Sequence, residues 1–218
     1  RLAHGLEILS DDWPPGSFFP GNVPANDLAG EWIANLTPTI ASLRQAHRAF
    51  FLAWLRDTAA ADYGANRWGL KEVRLTMEHA RYFQWLFPHA KFLFIARNPL
   101  DAFRSWKGNR WRSPWPGYYR NSAVAFARHW ARLTEGFLDG HAEVGGMFIR
   151  YEDLVQGRID LEKLAAYLEL PQIDPTPLSR RIDTPTDKRP RKKRSVNAID
   201  RLLITSLCAR PMQRLNYR

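Results

Sequence analysis

The chain has 218 residues, 32 Lys and Arg against 22 Asp and Glu, a formal net charge of +10, and 45% hydrophobic residues that include nine Trp and twelve Phe. The length supports one domain with a substantial core. The charge points to an acidic partner, such as a phosphorylated cofactor, a sulfated polymer or nucleic acid. No run approaches the 18 or so apolar residues of a membrane span. No charged-then-apolar leader opens the sequence, which starts at Arg1 rather than Met and reads as trimmed or partial. The single cysteine, Cys208, excludes an internal disulfide and a cysteine-based metal cluster. It sits in an apolar helical pattern, as a buried structural thiol would, and fits a reducing, cytoplasmic setting.

Residues 1 to 30 hold clusters of Pro, Gly, Asn and Asp and read as irregular. They contain Glu7, Asp11 and Asp12, a small acidic group in a basic protein. Thr37-Pro38 then opens a helix, with Leu43, Ala46, Phe50 and Trp54 expected on its buried face and an end by Gly64. Trp68 to Leu70 reads as a strand of marginal length, followed by Lys71, Glu72 and Arg74. A second helix carries Met77, Ala80, Phe83 and Phe87, and Pro88 stops it.

The stretch from Lys91 to Trp106, KFLFIARNPLDAFRSW, is the most informative. Phe92 to Ala96 is an unbroken apolar run, as in a parallel strand buried on both faces. Arg97 follows at the strand's carboxyl end. Asn98 is a suitable helix N-cap, Pro99 suits the first helical position, and Asp101 falls in the first turn. Ser105 lies one turn beyond Asp101. Arg97 therefore stands beside a helix N-terminus at the end of a strand, where open α/β sheets bind anions. An arginine and a hydroxyl facing one crevice suit a phosphate. The plainer alternative is that Arg97 merely pairs with Asp101. A βαβ unit over residues 68 to 96 would put Lys71 and Arg97 at neighbouring strand ends, facing the same crevice.

Residues 108 to 120, GNRWRSPWPGYYR, form an aromatic and basic loop, either a substrate lid or a packed patch. Asn121 or Ser122 caps a long helix with Val124, Ala127, Trp130, Leu133 and Phe137 inward, ending at Gly140. Met147 to Tyr151 is a further strand candidate, with Glu152-Asp153 at its end. Leu161, Leu164, Ala165 and Leu168 mark another helix. Residues 171 to 196 are Pro-rich and then basic, with KRPRKKR at 188 to 194. The last helix runs from about Asn197 towards Leu215 and is interrupted near Pro211. The pattern as a whole is that of a single three-layer α/β domain with a central parallel sheet flanked by helices.

Three segments together resemble the sulfotransferases that use 3′-phosphoadenosine 5′-phosphosulfate. WGLKEVR followed by LFPHAKFLFIARNPLDAFRSW is similar to the family's strand, crossover helix and strand bearing the 3′-phosphate motif of arginine and serine. MFIRYEDLV is similar to its hydrophobic strand ending in Tyr-Glu-Asp-Leu. IDRLLITSLCARPMQRLNY resembles its closing helix. The resemblance implies that Arg97 and Ser105 meet the 3′-phosphate of the nucleotide, and that Tyr151 lies near the adenine. It also implies that one of Arg191, Lys192 and Lys193 covers the 3′-phosphate, and that Lys71 sits near the transferring sulfonate. The donor would leave as adenosine 3′,5′-bisphosphate, and no metal is implied. The family's phosphate loop of the Pro-Lys-Ser-Gly-Thr-Thr type has no counterpart here, and its place would lie before Arg1. Transfer to a hydroxyl also needs a group to take up its proton, and Glu7, upstream of Lys71, is the named candidate. Asp11, Asp12 and His4 compete with it, whereas His47 and His79 fall inside helical patterns as structural residues would.

Sulfonate transfer to a hydroxyl or amine of a small-molecule or glycan acceptor is thus the leading expectation, with no nucleic acid partner. A P-loop nucleotide or nucleoside kinase would share the sheet, but it needs a Walker lysine and a magnesium-binding acid that the sequence lacks. A non-catalytic basic module for nucleic acid or sulfated glycan would bind with strong salt dependence and no nucleotide selectivity.

Overall fold

The computed structural model describes residues 40–64, 67–108, 122–179 and 195–217. The chain divides into two compact units, Arg1–Ala90 and Lys91–Arg218.

In the first unit, α1 (Ile40–Phe51) runs through a π-helical turn (Leu52–Asp57) into α2 (Thr58–Tyr63). Gly64 closes the run at φ 61°, a left-handed conformation that costs glycine nothing. Helix α3 (Met77–Leu86) packs on α1. Its N-terminus is held by Thr76, whose backbone N–H donates to His79 Nδ1. The packed face of α1 is not the expected one. Leu43, His47, Phe51 and Leu55 turn inward, while Phe50 and Trp54 are each 57% exposed. The Tyr82 hydroxyl lies 2.7 Å from His47 Nδ1, and the Phe51 ring meets Phe83 with centroids 5.0 Å apart. With aromatic residues at 50, 51 and 54, periodicity alone could not choose a face; this polar contact fixes the register. His47 and His79 thus have partners inside the helical pair.

Trp68 to Leu70 is not a strand; residues 67 to 76 contain no strand or helix. Three residues with Gly69 at the centre offer little to pair and much backbone entropy to lose. Trp68 instead sets its ring edge-on against Phe87, with centroids 5.5 Å apart. The expected βαβ unit over residues 68 to 96 is therefore replaced by a later one.

That unit lies in the second part of the chain. Strand β1 (Leu93–Ala96) is followed by α4 (Pro99–Gly108), α5 (Ala123–Gly140), a 3₁₀ turn (His141–Val144) and β2 (Met147–Arg150). The strands pair in parallel, from Leu93 with Met147 to Ala96 with Arg150. After β2 come α6 (Tyr151–Val155), α7 (Leu161–Leu168), α8 (Thr176–Ser179), α9 (Ala198–Leu207) and α10 (Ala209–Arg214). The fold is α/β. Its core joins Ala96 to Leu100 and Phe103 of α4, to Phe126, Ala127 and Trp130 of α5, and to Ile204, Cys208 and Met212. The other face of β1 carries Leu93 and Ile95, 37% and 46% exposed. Among the described residues the strand is thus covered on one face, not two: an apolar run records what a strand tolerates, not what lies over it.

Two local devices set this geometry. Tyr167 of α7 ties the strand entrances together, because its hydroxyl accepts from the Phe92 N–H and lies 3.0 Å from the carbonyls of Phe92 and Gly145. The final helix breaks at Cys208, not at Pro211 itself. Proline has no N–H to give to Leu207, and its ring crowds that carbonyl, so the turn falls ahead of it. Gly146, just before β2, has no room for a side chain. A Cβ there would lie 2.4 Å from the Phe94 ring and 3.0 Å from the His141 carbonyl. Phe94 cannot swing aside, since Phe92 and Phe137 flank it with centroids 6.4 Å and 5.0 Å away. Gly146→Ala should therefore destabilise the second unit by about 1–3 kcal/mol, the usual cost of overpacking, as read from urea unfolding.

Candidate functional site

Parallel pairing brings the carboxyl ends of β1 and β2 to the same edge, so the first residues beyond them, Arg97 and Tyr151, are neighbours. The Arg97 guanidinium lies over the Tyr151 ring, 4.7 Å from its centroid. A guanidinium over an aromatic face keeps its charge and its N–H donors for a further partner. Asp101, the sequence-level competitor for Arg97, is bound instead by Arg104 at 2.5 Å, one turn along α4. Among the described residues, no carboxylate forms an ion pair with Arg97. Asn98 is the expected cap, its Oδ1 accepting from the Leu100 N–H at 3.0 Å. Ser105 is exposed on α4, on the row that begins with Asp101. The far end of α4 is anchored by Lys107, which pairs with Asp200 of α9 at 2.7 Å, both side chains mostly buried.

The peptide unit between Arg97 and Asn98 is gripped at both ends. Trp130 Nε1 donates to the Arg97 carbonyl at 3.0 Å, and the Asn98 N–H donates to Glu152 Oε1 at 2.8 Å. The other carboxylate oxygen of Glu152 accepts from the Tyr217 hydroxyl at 2.7 Å, and that hydroxyl also lies 3.1 Å from the Ala96 carbonyl. Burial, and then the Glu152 carboxylate, push the Tyr217 phenol well above its usual range. Tyr217 reaches this point because α10 ends in a left-handed turn. Asn216 has φ 53°, and the N–H groups of Tyr217 and Asn216 return to the carbonyls of Met212 and Gln213.

Arg150, the last residue of β2, braces the same corner. Its Nε and Nη2 grip Asp153 at 2.6 and 2.7 Å, and its Nη1 donates to the Leu215 carbonyl at 2.7 Å. The Arg150 and Arg158 hydrogen bonds hold the Asp153 carboxyl down at about 2, against burial, which pushes the other way.

The remaining sequence-derived residues fall as follows. Lys71 is exposed in the irregular stretch of the first unit. Its neighbour Glu72 is taken by Arg74, which binds both carboxylate oxygens at 2.8 and 2.7 Å and holds that carboxyl at about 2. A Lys71–Glu72 pair is thus not what occupies Glu72. Glu7, His4, Asp11, Asp12, Arg191, Lys192, Lys193 and most of the aromatic loop lie outside the described residues. Cys208 is buried, with its thiol directed at the Ala127 carbonyl and pushed up to about 12 by burial, as a structural thiol would be. Sequence reasoning did not find the grip on the Arg97–Asn98 peptide. Its members come from positions 130, 152 and 217, and only the resemblance of the Tyr-Glu-Asp-Leu and closing-helix segments touched two of them.

The model of the sulfotransferase family matches residues 24–175, more than half of the chain. The chain therefore belongs to the sulfotransferase family, and its activity is that of a transferase that moves a sulfonate group. No curated protein and no solved structure matches it. No described helix is long and apolar enough to cross a membrane.

The Asp153 carboxyl sits below its unfolded value of about 4, so its contribution is present above that pH and is lost as pH falls towards 2. Asp153→Asn should cost about 1 kcal/mol at neutral pH, because the Arg150 and Arg158 ion pairs are lost but both lie near the surface and are screened. In urea titrations the gap between parent and variant should close as pH drops below about 4, and a gap independent of pH would contradict this account.

Proposed function

We propose that the chain transfers a sulfonate group from 3′-phosphoadenosine 5′-phosphosulfate to a hydroxyl or amine of a small-molecule or glycan acceptor. The observation that carries this reading is Arg97. In a chain of the sulfotransferase family, it stands at the carboxyl edge of the parallel sheet, stacked on Tyr151, with no carboxylate ion pair among the described residues. A guanidinium held this way suits the 3′-phosphate, and the exposed Ser105 hydroxyl on the following helix adds a further donor. Tyr151 has one ring face under Arg97, and its edge and hydroxyl remain for the nucleotide. In this reading one of Arg191, Lys192 and Lys193 supplies a further cation for the same phosphate.

The nucleotide brings an activated sulfonate on a phosphoanhydride oxygen, and the chain's own residues bind and orient it. Charge builds on the bridging oxygen as the bond to sulfur breaks. In this reading the Lys71 ammonium stabilises that charge, and the Glu7 carboxylate takes the acceptor's proton. The sulfonate carries less charge than a phosphoryl group, so fixed cations suffice.

Arg97→Ala should weaken adenosine 3′,5′-bisphosphate binding by about 2–4 kcal/mol, the cost of cutting a charge-assisted phosphate contact, and Ser105→Ala by about 1 kcal/mol. Calorimetry reads both, and unchanged affinity in Arg97→Ala would remove the cofactor assignment. Lys71→Ala should lower kcat by about 100- to 1000-fold and leave nucleotide affinity nearly unchanged, as expected for a group that acts only in the transition state. Turnover at the parent rate would remove Lys71 from the chemistry.

A further inference from the structure

We infer that Glu152 and Tyr217 are positioning residues that aim Arg97 at its anion by fixing the Arg97–Asn98 peptide. This rests on the proposed phosphate-binding role of Arg97 and adds how that role is enforced. A residue just past a strand end has two soft backbone torsions, and the direction of its side chain follows them. Here the peptide that follows Arg97 is held on both sides, its carbonyl by Trp130 Nε1 and its N–H by Glu152 Oε1. Rotation of that peptide about its Cα–C bond would break both contacts together. The peptide before Arg97 is held as well, by the ladder between β1 and β2 and by the Tyr217 hydroxyl beside the Ala96 carbonyl.

Glu152 is suited to this work by its chemistry. A carboxylate accepting from a backbone N–H and from a phenol makes two charge-assisted hydrogen bonds at 2.8 and 2.7 Å. Its own backbone is set by the first turn of α6, which begins at the Tyr151 that carries the Arg97 guanidinium. Aim and support therefore come from adjacent residues of one short segment. Tyr217 completes the arrangement from the far end of the chain, its ring beside Trp130 with centroids 6.4 Å apart and its position braced by Arg150. Neither Glu152 nor Tyr217 needs to touch the nucleotide. With both oxygens engaged by neutral donors, Glu152 forms no ion pair with Arg97.

The test is a binding cycle on the full chain, with adenosine 3′,5′-bisphosphate and adenosine 5′-monophosphate as probes, the second lacking the 3′-phosphate. Tyr217→Phe keeps the ring packed on Trp130 and removes only the hydroxyl. It should weaken the bisphosphate about 5- to 20-fold, the scale of a misdirected charged contact, and leave the monophosphate within about twofold. Glu152→Ala should do the same or more, and Glu152→Gln, which keeps an acceptor for the Asn98 N–H, should restore most of the loss. In an Arg97→Ala background neither substitution should weaken the bisphosphate further. Equal losses for both probes, or losses that persist without Arg97, would overturn the positioning role and leave the phosphate site standing. If Arg97→Ala alone binds the bisphosphate like the parent, the phosphate site itself fails, and the positioning role fails with it.

Discussion

Everything in the second unit follows from the parallel pairing of β1 and β2. Parallel strands cannot be joined by a tight turn, so the chain must cross over between them, and here α4 and α5 make the crossing. The crossover covers the buried face of β1 and leaves both carboxyl ends at one edge. Arg97 and Tyr151 become neighbours for that reason alone, although 54 positions separate them. Helix α4 starts at the same edge, so its capping residue and its first-turn N–H groups lie beside the arginine.

Charged groups near this edge are already paired, and that is what sets Arg97 apart. Asp101 answers Arg104, and Asp153 answers Arg150 and Arg158. Glu152 spends its two oxygens on a backbone N–H and a phenol. Arg97, which forms no ion pair with a carboxylate among the described residues, lies over an aromatic ring, which supports it without neutralising it. The proposed function uses this cation for an anion from outside the chain.

The sequence carried the local features well. The Asn98 cap, the start of α4 at Pro99, the cap of α5 at Asn121 or Ser122 (it is Ser122) and the strand expected at residues 92 to 96 (it spans Leu93–Ala96) each depend on a few adjacent residues, and these are readable. Features set by distant partners were not. The buried face of α1 depends on His47 meeting Tyr82, and a run with aromatics at 50, 51 and 54 holds no record of that. Trp68 to Leu70 reads as a strand because its composition is apolar, yet its indole is used against Phe87. The short spacing upstream suggests a partner for β1 there, whereas among the described residues its partner lies beyond α5. Arg97 stands out from its residue pattern and Tyr151 only from the family resemblance, but their stacking, and the grip of Trp130, Glu152 and Tyr217 on the backbone around Arg97, needed the fold.

The central claim is that the anion of the nucleotide is received by Arg97 at the carboxyl edge of β1 and β2. A crystal structure of the chain with adenosine 3′,5′-bisphosphate tests it most directly. The account predicts the 3′-phosphate about 3 Å from the Arg97 guanidinium nitrogens, with the Arg97–Asn98 peptide still held by Trp130 and Glu152. A nucleotide bound elsewhere, with Arg97 making no contact to phosphate, would contradict it.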